Sequence, residues 1–452
     1  MRGGKNVFLT GPPGSGKSYV IEQLVSLSSK ESKKVALTAT TGIAANLLGG
    51  VTIHSWSGMG LTGLQQSAIL ARLIDNPSAV SRIRAANILI IDEISMFSAD
   101  QLDRLNLILK TVRVDPRTFG GLQVIVSGDF FQLPPVGDDT TQYAFSSKSW
   151  RELNFEVCYL SEQYRQTDDR LYEVLRALRD RSFSKNHLGY LLERQLPYVN
   201  VGNKEVTMLL THNSDVNRLN MLRLDQIKEQ QHLYTGCFSG APEAVDSLTK
   251  SVLAPLDLRL KVGARVMFVA NEPSRGFVNG TQGKVINFKS GLPVVLTDDG
   301  LSIKVEARSW TFIQDNQVLA KFEQLPLKLA WAITIHKCQG MSLDNALIDL
   351  RRSFTYGMGY VALSRLKSYE GLYLLGINTR SLLLDPVVYK FDATLRRAPA
   401  GLTLHQKNSS IISRENDAKA LLRAGLSKRL INLTTALSLR QIETLKKQLL
   451  NE

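Results

Sequence analysis

The sequence predicts an α/β protein with two parallel-sheet regions, the second interrupted by an antiparallel insert and followed by a basic helical tail. Three observations carry this prediction. Short apolar runs (KNVFLT from residue 5, VALTA at 35–39, NILIID at 87–92, LQVIVSGD at 122–129) alternate with helix-like stretches and end at small, polar or acidic residues. That is the pattern of parallel strands covered by helices, with ligands at their carboxyl ends. From about 258 to 321 the chain turns β-rich, with Asn279-Gly280 and Asp299-Gly300 as hairpin signals, which predicts a small antiparallel barrel. Beyond it the α/β pattern resumes in LKLAWAITIHKCQG, LIDL, YVALSRL and GLYLLGI.

In chain order, residues 1–148 are expected to form the first α/β domain. Within it, 53–84 is too long and too weakly patterned for a connection and reads as an inserted subdomain. The second α/β domain takes 149–257 and 322–395, split by the insert at 258–321. Residues 396–452 hold eleven Lys or Arg against four acidic residues, 11 − 4 = +7, half of the chain's 55 − 41 = +14. Helical patterns run near 416–433 and 438–450, where Ser438 with Gln441 makes a capping box. A helix-turn-helix reader of duplex DNA, a basic helical hairpin and a partner-binding tail all fit this segment.

Composition removes other classes. At 452 residues with 44% hydrophobic and 21% charged, the chain is long and apolar enough for several cores, which excludes disordered and collagen-like chains. Three cysteines without a CxxC pair argue against a disulfide framework or structural zinc, and fit a reducing compartment. There is no run of 18 apolar residues and no signal-like segment, so a soluble cytosolic protein without membrane contact is expected. The excess of positive charge favours a polyanionic partner.

The chemistry concentrates at strand ends. Gly11-Pro12-Pro13-Gly14-Ser15-Gly16-Lys17-Ser18 is a GxxxxGK[ST] loop between a predicted strand and a predicted helix. Its backbone amides and the helix N-terminus suit phosphates, Lys17 reaches the β and γ phosphates, and Ser18 ligates Mg²⁺. Pro13 lacks an N–H, which removes one potential donor. Asp92 and Glu93 end an apolar strand beside that loop. Hydrolysis needs one carboxylate for Mg²⁺, here Asp92, and one for the attacking water, here Glu93. Gln132, in the turn GDFFQLPPV at 128–136, offers a neutral group for sensing the γ-phosphate.

These segments, with TATTGIAA at 38–45, TIHS at 52–55, DEISM at 92–96, QYRQ at 163–166, TIHKCQGMSLD at 334–344 and YVALSR at 360–365, occur in order over about residues 3–380. Together they resemble the motif series of the petite-integration-frequency (PIF-type) DNA helicases, superfamily 1, B branch, related to the RecD and Dda helicases. The resemblance implies two RecA-like domains, with a strand-separating wedge at 53–84 and an accessory barrel in the second. It implies an ATP hydrolase that needs ATP and Mg²⁺, acts as a monomer on single-stranded DNA and forked or tailed duplexes, and translocates 5′ to 3′ in replication, repair, recombination or telomere-type maintenance. It places Arg165 and Arg365 on the γ-phosphate, where planar, always-charged guanidinium groups suit transferring phosphoryl oxygens. Gln339 and Gly340 couple the nucleotide to the nucleic acid. Thr40, Thr41, His54, Ser55, Pro134, Pro135, Val136, Thr334, His336 and Lys337 line the DNA path, mixing phosphate-binding with base-facing groups. Trp56 and Phe131 read as core.

The location implied is cytoplasmic and nucleoid-associated in a prokaryote or virus, and nuclear or mitochondrial in a eukaryote. Two departures stand out. The family's adenine-reading glutamine segment lies upstream of the first strand, where this chain has only a few residues. Cys338 replaces the family's usual small residue, which exposes coupling to oxidation. An RNA or RNA–DNA hybrid translocase and a nucleotide-gated single-strand clamp remain as alternatives.

Overall fold

The computed structural model describes residues 4–59, 76–135, 137, 142–162, 169–196, 206–270, 272–277, 280–314 and 317–397. Arg165, Val136, residues 60–75 of the wedge and the tail beyond 397 lie outside them. Two families of sheet are present, parallel and antiparallel, as expected of the fold class.

The first sheet has strands β1 (Val7–Thr10), β2 (Val35–Ala39), β3 (Val51–Thr52), β4 (Ile88–Asp92), β5 (Gln123–Gly128) and β6 (Glu156–Tyr159). They run β3-β2-β4-β5-β1-β6, every ladder parallel. Every residue of β1 and β4 is buried, as continuous apolar strands covered on both faces must be. Parallel strands deliver their C-terminal loops to one edge, so the Gly-rich loop after β1, the carboxylates at the end of β4 and the turn after β5 emerge together. Residues beyond 148 contribute to this sheet, because β6 pairs with β1 from Val7↔Glu156 to Thr10↔Tyr159. Apolar periodicity predicts a strand but not the partner it chooses.

The second sheet is also parallel, ordered Ala332–Thr334, Thr207–Leu210, Ala346–Leu350, Leu372–Ile377. Between its strands lies the antiparallel part. Strands Arg265–Phe268, Gln282–Lys289, Leu292–Thr297, Ser302–Lys304 and Leu327–Leu329 make a five-stranded sheet. Arg308–Gln314, Gln317–Gln324 and Cys237–Gly240 make a three-stranded one, and His232–Thr235 with Asp257–Leu260 a two-stranded one. Pairing therefore reaches outside 258–321 on both sides.

One core runs through both parallel sheets, from Phe8 and Val126 to Ile348 and Leu374, all fully buried. Helix Pro386–Arg397 follows the second sheet in sequence yet returns to the first. Its Phe391 stacks on Phe145 with centroids 4.1 Å apart and meets Phe8, Phe130 and Trp150. Phe391 is part-buried, so its ring contributes less than the about 1.5–3 kcal/mol of a fully buried one.

Candidate nucleotide and nucleic-acid sites

The Gly-rich loop follows β1 and opens helix α1, Lys17–Lys30. Gly11 has φ +149°, and a Cβ there would lie 2.3 Å from the carbonyl oxygen of Leu160, so only glycine lets the loop leave against β6. Gly16 is left-handed at φ +88° and turns the chain into α1. Lys17 Nζ donates to the carbonyls of Gly11 (2.8 Å) and Pro12 (2.9 Å), which folds it over the loop's concave side. Burial lowers its pKa, while Asp129, Glu93 and Asp92 oppose that shift. Ser15 N donates to Pro12 O at 3.2 Å, and its hydroxyl is buried with no partner among the described residues.

A cleft of about 400 Å³ opens there, lined by Pro13, Gly14, Gly16, Lys17, Ser18, Asp92, Glu93, Gln132, Gly340 and Arg365. Pro12 and Ser15 belong to the same loop. The two carboxylates stand in different environments. Asp92 is 8% exposed, and burial followed by repulsion from Glu93 pushes its pKa up to about 6. Glu93 sits one residue further on, at φ +54°. A left-handed non-glycine costs on the order of 1 kcal/mol and turns the side chain away from the strand direction into the cleft.

The two halves meet over these groups. Gln339 Nε2 donates to Glu93 Oε2 at 2.9 Å, joining the HKCQG turn to the β4 carboxylate. Arg365 is 1% exposed and donates through Nε to Val361 O (3.0 Å) and through Nη2 to Ser364 Oγ (2.8 Å). Its Nη2 also donates across 3.4 Å to Gln132 Oε1. Gly357, at φ +74°, makes this approach possible, since a Cβ there would lie 2.7 Å from the carbonyl oxygens of both Phe131 and Gln132. Among the described residues expected for catalysis, Lys17, Asp92, Glu93, Gln132 and Arg365 thus share one cleft, and Arg165 lies outside the described residues.

The residues expected along DNA divide. Thr40 Oγ1 donates to Glu93 O at 2.8 Å and braces the end of β4, while Thr41 Oγ1 accepts from Ala44 N at 3.2 Å in the first turn of the helix Gly42–Leu47. Thr52 Oγ1 caps the helix Ile53–Ser57 by accepting from Ser55 N, which leaves the Ser55 side chain outward. His54 packs edge-on against Phe97 (centroids 5.9 Å) with Nε2 3.2 Å from Gln101 Nε2, and burial lowers its pKa. Trp56 and Phe131 are core, 6% and 2% exposed. Thr334 is buried, whereas His336 and Lys337 are part-exposed, as is Pro134; Pro135 is buried. Burial lowers the pKa of His336, helped by His212, so neutral imidazole is the resting form. Cys338 is buried and donates its thiol to Ile335 O at 3.1 Å; burial pushes its pKa up to about 12. A protonated, enclosed thiol is inert, which removes the oxidation sensitivity expected of it.

Two residues escape the sequence reading. Tyr19, 62% exposed, lines the nucleotide cleft directly after Ser18. Phe354, 52% exposed, lies face to face with His336 (5.9 Å, 18°) and beside His212 (5.1 Å). An aromatic side chain outside an apolar period was the only signal for either, and it does not tell a ligand-facing ring from a loop residue.

A family model described as PIF1-like helicase matches residues 1–186, and one described as the 2B domain of DNA helicase Pif1 matches 243–288. The ATP-dependent DNA helicase Pif1 of a Psychrobacter species is 38% identical over 88% of this chain. The chain spans 69% of that protein and 62% of the human counterpart. The crystal structure of Candida albicans Pif1 helicase superposes with TM-score 0.79 at 34% identity, covering 87% of this chain and 96% of that one. A Bacteroides Pif1 helicase in complex with ADP-AlF3 and single-stranded DNA superposes with TM-score 0.67 at 30% identity, covering 87% and 94%. With identity at this level over nearly nine-tenths of its length, the chain belongs to the PIF1-like helicase family, whose named relatives are ATP-dependent DNA helicases.

Proposed function

We propose that this chain is an ATP-driven motor that moves 5′ to 3′ along single-stranded DNA and unwinds the duplex ahead. The observation that carries the reading is the meeting of the two halves on one cleft. Lys17, Asp92, Glu93 and Gln132 come from the first sheet, Gly340 and Arg365 from the second, and Gln339 bridges them onto Glu93. Lys17 binds the β and γ phosphates, Glu93 orients the attacking water, and Gln132 and Arg365 face the γ-phosphate, joined by Arg165 from QYRQ. Ser18 and Asp92 would hold Mg²⁺. The donor set fits a cation, since the buried Asp92 carboxyl is pushed up to about 6 without one and a divalent charge reverses that. Bound there, Mg²⁺ supplies charge stabilisation to the phosphoryl oxygens.

Gln339 lies directly after the His336-Lys337 turn, so a change at Glu93 on hydrolysis is passed within one turn to groups suited to DNA. Lys337 and Ser55 suit phosphates, and His336, Phe354 and Pro134 suit base faces, a sequence-tolerant mixture. The Bacteroides relative bound to ADP-AlF3 and single-stranded DNA supports this partner. One copy supplies both sides of the cleft, so a monomer on DNA suffices. The test is ATP hydrolysis with and without single-stranded DNA, beside a matched RNA strand and Lys17→Ala. Stimulation by DNA that Lys17→Ala abolishes supports the motor, with tailed duplexes then reading polarity. Stimulation by RNA alone overturns the DNA assignment, and binding without hydrolysis reduces the chain to a clamp.

A further inference from the structure

Outside the nucleotide cleft, the most enclosed positive charge among the described residues is Arg179, the last residue of the helix Asp169–Arg179 and part of none of the motifs above. It is 7% exposed, and its partners come from four elements. Nη1 donates to Asp129 Oδ1 at 2.8 Å and to the Tyr360 hydroxyl at 3.2 Å; Nη2 donates to the Tyr159 hydroxyl at 2.9 Å and lies 3.5 Å from Asp392 Oδ1. Tyr360 closes the ring by donating to Asp129 Oδ2 at 3.2 Å. Asp129 and Tyr360 are 0% and 1% exposed. The guanidinium also lies over the Phe131 ring, 4.5 Å from its centroid. Burial works against its charge, but Asp129 and the surrounding oxygens prevail and hold its pKa well above the usual value.

Burying two opposite charges is a weak route to stability, because desolvation offsets most of the attraction. What this pair does is fix geometry. Asp129 builds the turn that carries Gln132: its Oδ1 accepts from Phe131 N (3.2 Å) and its carbonyl from Gln132 N (3.0 Å). Tyr360 lies on the helix Met358–Leu363, whose Val361 carbonyl holds Arg365 Nε at 3.0 Å. Asp129 thus leads to Gln132 and Tyr360 leads to Arg365, and the two arms meet again at the 3.4 Å contact between Arg365 and Gln132. None of Asp129, Arg179 and Tyr360 lines the cleft itself.

We infer that Arg179 is a positioning residue for ATP hydrolysis: by binding Asp129 and Tyr360 together it fixes the spacing of Gln132 and Arg365 around the γ-phosphate. The inference rests on the reading that this cleft hydrolyses ATP. A lysine at 179 retains the charge but, as a point donor, cannot serve Asp129, Tyr360 and Tyr159 from one plane. Displacing reacting groups by about 1 Å costs up to about a hundredfold in rate, while phosphate binding through Lys17 and the loop amides is untouched.

The experiment uses the full chain and two variants, Arg179→Lys and the double variant Asp129→Asn with Arg179→Gln, which leaves no unpaired buried charge. It reads kcat and KM for ATP at saturating single-stranded DNA, with a fluorescent ADP analogue to count competent nucleotide sites. Wild type and Lys17→Ala run beside them, so that an inactive wild type sinks the ATPase reading itself, whereas a change confined to the variants bears on Arg179 alone. The expected result is kcat per bound nucleotide lowered at least about tenfold in both variants, with KM and analogue affinity within about twofold. A purely structural Arg179 would lower the fraction of competent sites and leave kcat per site unchanged. Turnover per site within twofold of wild type in the double variant overturns the inference, and that variant decides if Arg179→Lys does not fold.

Discussion

Replacing Gly357 by alanine perturbs the contact between the two halves without replacing any side chain that meets ATP. Its added Cβ would lie 2.7 Å from the backbone oxygens of Phe131 and Gln132, and ordinary contact begins at 3.4 Å, so restoring ordinary contact parts loop and helix by 3.4 − 2.7 = 0.7 Å. That opens the 3.4 Å contact between Gln132 and Arg365 to about 4 Å, beyond hydrogen-bond reach. The left-handed backbone adds about 1–2 kcal/mol of instability for any residue with a Cβ. Gly300 separates the two effects, since it has φ +87° with nothing within 4 Å of an added Cβ. Gly300→Ala should bring the backbone cost alone. Thermal melts and DNA-stimulated ATPase of both variants are the assay. Both should melt lower, and Gly357→Ala alone should lose about ten- to a hundredfold in kcat, equivalent to about 1.4–2.8 kcal/mol of barrier. Gly357→Ala turning over within twofold of wild type would refute the claim that the spacing of Gln132 and Arg365 governs hydrolysis.

Four further outcomes are expected. Lys17→Ala and Glu93→Gln each abolish turnover in a steady-state phosphate-release assay, the second while still binding nucleotide; normal hydrolysis by Glu93→Gln removes it as the water-orienting group. Asp92 has a folded pKa of about 6 against an ordinary 3.8, so its contribution favours folding at low pH and is lost as pH rises from about 4 through 6. Asp92→Asn should therefore raise the melting temperature of the nucleotide-free protein at pH 7.5 by about 2 °C or more and flatten its dependence between pH 4 and 6, measured by calorimetry. Cys338→Ser should keep helicase activity within twofold, and thiol reagents should leave the wild-type turn unmodified by mass spectrometry, because the thiol is enclosed and protonated. Phe354→Ala should weaken single-stranded DNA binding by about 5- to 150-fold, the loss of one base stack of about 1–3 kcal/mol, read by fluorescence anisotropy.

How far the sequence carried depended on whether function sat in consecutive residues. The loop at 11–18, the Asp92-Glu93 pair and the turn holding Gln132 are local, each a strand end with fixed chemistry, and the parallel order of β1, β4 and β5 brings them to one edge as expected. Arg365 is equally local in sequence, but its place above Gln132 depends on Gly357, a glycine whose role appears only once the two halves touch. Thr40 and Thr41 read as DNA-facing hydroxyls, and the structure engages both in backbone hydrogen bonds. Arg179 has no motif at all, because a residue that works through partners from four elements leaves no spacing to recognise. The strand Glu156–Tyr159 was not read from the sequence, and neither was its place beside Val7–Thr10, since edge pairing is a tertiary choice.

The return of helix Pro386–Arg397 to the first sheet bears on how the chain is made. The first half's core is closed by Phe391, some 230 residues after β6 ends at Tyr159. At about 5–20 residues per second, a ribosome needs roughly 10–50 s to cover that distance. For that interval the aromatic face of Phe8, Phe130 and Trp150 has no lid, and the nascent first half is a bare hydrophobic surface awaiting its last helix. Over those seconds aggregation through that face competes with folding, so the yield of folded protein depends on how long the face stays uncovered as well as on the final stability.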